Sequence, residues 1–141
     1  MTNDNSIALI SRIREKVNKF LLAELKAIGL HDIAPSHGDI FIALFRYQEL
    51  SMTEIADYIN RDRSTVTTLV TKLINSGYAA SRRNTRDGRS NLIFLTEKGR
   101  KFEKNFAVIS RKLLEIEYRG VSEEERKVFL HILHKVYDNF H

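Results

Sequence analysis

Four arginines, Arg82, Arg83, Arg86 and Arg89, crowd around one Asp-Gly pair in the stretch RRNTRDGRSNLIFL, residues 82–95. A guanidinium is always charged and presents a rigid fork of donors, so the chemistry it offers is the gripping of phosphate or carboxylate oxygens. Asp-Gly between two extended arms predicts a tight hairpin, with YAASRR running out, NTRDGRS turning and NLIFL returning. The segment just upstream, RDRSTVTTLVTKLINSG, holds four threonines and two serines in a helical pattern that contains no acidic residue after Asp62. Surface helices usually favour Glu, Lys and Gln, because Thr is a poor helix former. Small hydroxyls in their place can come close to a nucleic-acid backbone or base edge, and their methyls can pack on a thymine methyl.

Periodicity decides which of these side chains face outward. Val66, Leu69, Val70, Leu73 and Ile74 form the buried stripe of a helix over about 64–76, which leaves Ser64, Thr65, Thr67, Thr68, Thr71, Lys72 and Asn75 exposed. Arg61 and Arg63 flank Asp62 at its start, where the helix dipole is positive and phosphate is favoured. Either Asp62 or Ser64 serves as N-cap, and Gly77 supplies the stop.

The elements around this pair follow from similar signals. Ile10, Ile13, Val17, Leu21, Leu25 and Ile28 mark one apolar stripe on a first helix that Gly29 ends. Pro35 and Ser36 open a second helix, Ser36 with Asp39 approximating a capping box, and its body IFIALFRYQ is apolar on most sides. Ser51 and Glu54 form a capping box for LSMTEIADYIN, whose Ile55, Ala56 and Ile59 are buried. Only NRDR separates Ile59 from Ser64, which is helix-turn-helix spacing. Beyond the hairpin, residues 96–118 read as one helix, with Phe102, Phe106, Ile109, Leu113 or Leu114, and Ile116 or Tyr118 at helical steps. Ser122 and Glu125 cap a last helix bearing Leu130, Leu133, Val136, Tyr137 and Phe140.

Bulk properties narrow the function. With 141 residues the chain is expected to form one domain, and 43% apolar content is ordinary for a globular protein. No run approaches the ~20 apolar residues of a membrane span, and the start lacks a signal-peptide pattern, so a cytoplasmic protein is expected. The absence of cysteine excludes disulfides, thiolate zinc sites, cysteine nucleophiles and thiol redox sensing. Residues 61–104 hold eleven Lys and Arg against four Asp and Glu, whereas the rest holds twelve against fourteen. Positive charge concentrated in one third of the chain points to a polyanion-binding face.

In this order and spacing, MTEIADYINRDRSTVTTLVTKLINSGYAASRRNTRDGRSNLIFLTEKG resembles the DNA-binding lobe of the multiple antibiotic resistance regulator (MarR) family. The most specific parts are the wing tip Asp87, Gly88 and Arg89, the exit LTEKG from Leu95 to Gly99, and STVTTLVTKLINSGY from Ser64 to Tyr78. The resemblance extends to the order of elements along nearly the whole chain. It implies a mainly α fold with a small β-hairpin wing. Residues of about 36–99 would form the winged lobe, and about 5–30 and 100–141 the dimerisation helices. Base or phosphate contact is implied for Arg63, Ser64, Thr67, Thr68 and Arg89, with the hairpin entering the minor groove and the helix from Ser64 the major groove. The residue pattern adds Arg61, Thr65, Thr71, Lys72, Arg82, Arg83 and Arg86 along the same face, while Asp87 bonds the turn backbone or holds Arg89. A homodimer on an inverted-repeat operator is the expected partner arrangement, the half-sites ~34–36 Å apart.

Many relatives bind a small aromatic or phenolic effector between the dimerisation and DNA-binding parts. Candidates here are His37, Phe41, Phe45, Arg46, Tyr47 and Tyr118, although aromatics at helical spacing also serve as plain core, and Arg46 can pair with Glu49 or Glu54 instead. His131 and His134 lie three apart on the last helix, but no third ligand converges in the sequence, so no metal is expected. No phosphate loop, nucleophile elbow or other catalytic motif is present, and neither an enzyme nor a cofactor is expected. The competing readings are an effector-independent activator, a nucleoid-associated protein, or a winged protein-interaction module.

Overall fold

The computed structural model describes residues 3–86, 88 and 90–140. Seven helices and three strands occur among them, and the chain divides into two compact units, Met1–Ala107 and Val108–His141. The first unit therefore takes the N-terminal helix together with the winged lobe.

In that unit α1 (Ser6–Ala27) ends as the glycine signal predicts. Gly29 adopts φ 93°, and the Leu30 N–H reaches back to the Leu25 carbonyl at 2.9 Å, which satisfies a carbonyl the helix leaves unpaired. The second helix, α2 (Pro35–Tyr47), starts differently from the sequence expectation. Ala34 is its N-cap residue, and the free N–H of Ala34 donates to Nδ1 of His37 at 3.0 Å; Ser36 and Asp39 form no capping box. Phe41, Ile40, Ala43 and Leu44 of α2 are completely buried and form the centre of the core.

A strand that the sequence reading missed follows at β1 (Glu49–Ser51). It leads into α3 (Met52–Ile59), which has the predicted reciprocal cap: the Ser51 hydroxyl accepts from Glu54 N–H at 3.1 Å, and Glu54 Oε1 accepts from Ser51 N–H at 2.9 Å. Asn60 takes the left-handed conformation (φ 56°, ψ 51°) that turns the chain toward α4 (Arg63–Asn75). Asn tolerates that conformation better than most residues. Val66, Val70 and Leu73 of α4 are buried, matching the predicted stripe.

The hairpin pairs β2 (Ala79–Arg83) with β3 (Asn91–Leu95), and β1 joins the other edge to give the order β1-β3-β2, antiparallel throughout. Ile93 faces Ser81 on one side and Leu50 on the other, and with Leu95 it fixes the hairpin to the core. The predicted long helix after the hairpin is interrupted. Thr96 caps a short α5 (Glu97–Arg100), the backbone turns at Lys101 and Phe102, and α6 (Glu103–Glu117) begins afresh.

This exit is tightly bound to the end of α4. Thr96 donates its hydroxyl to the Gly77 carbonyl at 2.6 Å and accepts from Gly99 N–H at 3.3 Å. Lys98 Nζ donates to the Ser76 carbonyl at 2.8 Å and lies 4.7 Å from the Tyr78 ring centre. An added methyl at Gly99 would stand 2.2 Å from the Tyr78 carbonyl oxygen, so only glycine fits there.

The second unit contains the rest of α6 and α7 (Glu123–Asp138), whose Ser122–Glu125 capping box forms as predicted. Tyr118 packs against Phe129 with ring centres 6.4 Å apart and receives the Arg126 guanidinium at 4.3 Å. No residue of α7 is buried.

Candidate nucleic-acid interface

Asp62 settles the cap that the sequence left open. Its carboxylate accepts from Thr65 N–H at 3.2 Å, from Thr65 Oγ1 at 2.6 Å and from the Ser64 hydroxyl. Those donors, the Ser64 hydroxyl first, hold its pKa at about 2. An ionised carboxylate thus sits where a phosphate was expected to bind the helix end, and the Ser64 and Thr65 hydroxyls are committed to it. Of the flanking arginines, Arg61 reaches Ser36 Oγ at 3.4 Å, whereas Arg63 has no ion pair or hydrogen bond from its side chain among the described residues.

Along α4, Ser64, Thr67, Thr68, Thr71 and Lys72 are exposed, while Thr65 is half-covered. The three following threonines share one arrangement. Thr67 donates to the Arg63 carbonyl (2.9 Å), Thr68 to that of Ser64 (3.2 Å) and Thr71 to that of Thr67 (2.7 Å). Each hydroxyl proton is turned back onto the helix. What the three side chains offer to solvent is a methyl and an oxygen with accepting capacity, which suits amino groups and thymine methyls rather than phosphate oxygens.

On the hairpin arm, Arg82, expected within reach of phosphates, is paired in this structure: its Nε donates to Glu49 Oε2 at 2.9 Å and its Nη2 to Glu49 Oε1, a bidentate pair spanning the two outer strands over β3. That hydrogen-bonded pair raises the Arg82 pKa. Arg83 folds onto the turn, with Nε and Nη2 donating to the Gly88 carbonyl at 3.3 and 3.1 Å. Arg86 keeps a guanidinium with no partner among the described residues, its backbone N–H bonding Asn84 Oδ1 at 3.1 Å. Asn84 N–H closes the turn on the Ser90 carbonyl at 3.0 Å. Asp87 and Arg89, the expected wing tip, lie outside the described residues.

Several of the residues suggested for an effector already have packing or capping partners. Phe41 is 0% exposed and stacks on Phe106 at 5.0 Å, with Tyr78 at 5.7 Å, Phe45 at 6.0 Å and Phe102 at 6.4 Å around it. These rings are core. His37 is spent on the start of α2. Arg46 pairs with neither Glu49 nor Glu54; its guanidinium lies 5.4 Å from the Tyr47 ring centre. Tyr118 belongs to the second unit, where Arg126 covers it. Among the described residues no three His, Asp or Glu side chains converge as a metal site would need.

Two helices joined by a three-residue turn, the second followed by an antiparallel hairpin with arginines on its arm and turn, define a winged helix-turn-helix protein. Residues 33–90, most of this lobe, match the model of the MarR family. The chain is 25% identical over 123 residues to YdgJ, an HTH-type transcriptional regulator of Bacillus subtilis (strain 168), covering 87% of this chain and 74% of that protein. Solved structures share the fold over nearly the whole length. A MarR transcriptional regulator from Methanosarcina mazei Go1 is 24% identical with a TM-score of 0.77, covering 94% of this chain and 93% of its own. A mutant MarR from E.coli complexed with operator DNA is 19% identical with a TM-score of 0.80, covering 92% and 91%. BpsR of Bordetella bronchiseptica, whose DNA binding is regulated by 6-hydroxynicotinic acid, is 17% identical with a TM-score of 0.82, covering 98% and 96%.

Proposed function

We propose that this protein is a cytoplasmic, sequence-specific DNA-binding transcriptional regulator that works as a homodimeric repressor and is released by a small aromatic or phenolic effector. The observation that carries the reading is the exposed face of α4, with methyls and accepting oxygens at Thr67, Thr68 and Thr71 beside Lys72 and Arg63, whose side chain has no partner among the described residues. In this reading α4 lies in the major groove, Arg63 and Arg86 grip phosphates, and Arg89 probes the minor groove. The fold shared with the operator-bound E.coli MarR supports the docking, and BpsR supports the effector.

Dimerisation rests on the terminal helices. Ile7, Ile10 and Ile13 are exposed on α1, and Val128, Ile132 and Val136 on α7, with Phe140 beyond its end 74% exposed. Apolar side chains exposed at helical steps along each of these helices suit an interaction site. A second copy brings two lobes to an inverted repeat.

The experiment is selection of bound fragments from a random duplex pool, then fluorescence anisotropy on the selected site across salt concentrations. An inverted repeat should emerge, and Arg63→Ala and Arg86→Ala should each lower the salt slope by about 1. Thr67→Val, which keeps a methyl and removes the oxygen, should relax discrimination at one base pair. Sedimentation as a monomer, or no enrichment of any sequence, overturns the proposal.

A further inference from the structure

A shallow cleft of about 380 Å³ lies against the end of α2, β1 and α3, lined by Tyr47, Leu50, Glu54, Asp57 and Tyr58. A second, of about 250 Å³, is lined by Asp39, Ile42, Tyr58 and Ile59 and so shares the Tyr58 ring. In a chain of net charge +5, neither cleft is lined by a Lys, Arg or His.

Tyr47 and Tyr58 meet edge to face, ring centres 5.6 Å apart, yet remain 47% and 40% exposed. Their rings carry negative faces that attract cations, and Tyr47 already draws the Arg46 guanidinium, which is not part of the cleft lining. Asp57 is exposed, and its carboxylate has no ion pair or hydrogen bond among the described residues. Glu54 uses Oε1 on the Ser51 N–H and leaves Oε2 without a bond there. Two aromatic rings, an unpaired carboxylate and a half-used one converge on a concave surface whose volume falls at the low end of small-ligand sites, roughly 300–1,000 Å³. An anionic aromatic compound would meet two carboxylates and no cation in the lining of the first cleft. A neutral one would leave both carboxylates unanswered.

We propose that this cleft binds the alkylammonium group of a small organic cation, its charge facing Asp57 and Glu54 and its alkyl groups packing on Tyr47 and Tyr58. The site uses no residue of α4 or of the hairpin, so it stands or falls independently of the DNA reading.

The test titrates the full chain with choline and follows the ring resonances of Tyr47 and Tyr58 by NMR. Its neutral counterpart of the same shape, 3,3-dimethylbutan-1-ol, and benzoate form the control arms. Choline should give saturable shifts at both rings, the alcohol at least about fivefold weaker binding and benzoate none. Asp57→Asn should weaken choline binding by up to about fivefold. Tyr58→Phe keeps the ring and should bind as the parent does, while Tyr58→Leu keeps apolar area without the ring and should lose about fivefold or more. Equal response to choline and the alcohol, no saturation, or parent-like binding by Tyr58→Leu overturns the assignment.

Discussion

Replacing Gly99 by alanine tests the attachment of the hairpin exit to the end of α4. The new methyl would stand 2.2 Å from the Tyr78 carbonyl oxygen, 3.1 Å from its carbonyl carbon and 3.2 Å from Leu95 Cδ2. A carbon and a carbonyl oxygen rest at about 3.3 Å, so α5 and the 78–79 backbone must separate by about 1 Å. The Tyr78 carbonyl cannot yield freely, because it accepts the Thr96 N–H at 3.0 Å. Forced packing costs about 1–3 kcal/mol and the weakened hydrogen bond about 1 more, for a loss of about 2–4 kcal/mol. At this chain length that lowers Tm by about 6–12 °C. Gly29→Ala is the internal control: nothing lies within 4 Å of its added methyl, and only the strain of φ 93° acts. That change should cost about 1 kcal/mol, or about 3 °C. Calorimetric melts of both variants decide the matter. If Gly99→Ala melts within 2 °C of the parent, or if the two variants lose equally, the close approach does not fasten this corner.

The Arg82–Glu49 pair predicts that Arg82→Gln and Glu49→Gln weaken operator binding to a similar degree and are not additive in the double variant; a phosphate-gripping Arg82 would instead bind tighter once Glu49 is neutralised. His37 has its pKa lowered from 6.5, first by burial and then by the Lys72 charge, and protonating Nδ1 breaks its bond from Ala34 N–H. Its contribution is therefore full above pH 6.5 and lost as pH falls through the lowered folded value, so urea midpoints should drop from pH 7 downward and His37→Gln should flatten that part of the profile. Phe41→Ala removes the centre of the aromatic cluster and should cost about 3–5 kcal/mol by urea unfolding, with Phe45→Ala, a half-buried neighbour, costing less.

What the sequence revealed was mostly local chemistry. The glycine stops at Gly29 and Gly77 and the boxes at Ser51–Glu54 and Ser122–Glu125 each depend on residues a few positions apart, and all formed. The α4 stripe was equally readable, because buried Val66, Val70 and Leu73 repeat at helical steps. The start of α2 misled because a histidine nitrogen, not a hydroxyl or carboxylate, takes the free N–H. A three-residue strand such as β1 carries no alternation to detect and exists by pairing with β3, some forty residues away. In the candidate interface, exposure of the threonines could be read from period alone. The commitment of Arg82 to Glu49 across 33 positions is tertiary geometry, and that of Ser64 and Thr65 to Asp62 depends on which residue caps the helix; composition presents all three as free binding groups.

The fastening of α4 has a bearing on how its target preference can change. Asp62 secures one end, while Thr96 and Lys98 secure the other. Thr67, Thr68, Thr71 and Lys72 belong to neither knot. The outward positions thus behave as a replaceable cassette in a fixed frame, whose letters can be rewritten for a new operator without unpicking the stitches that hold it.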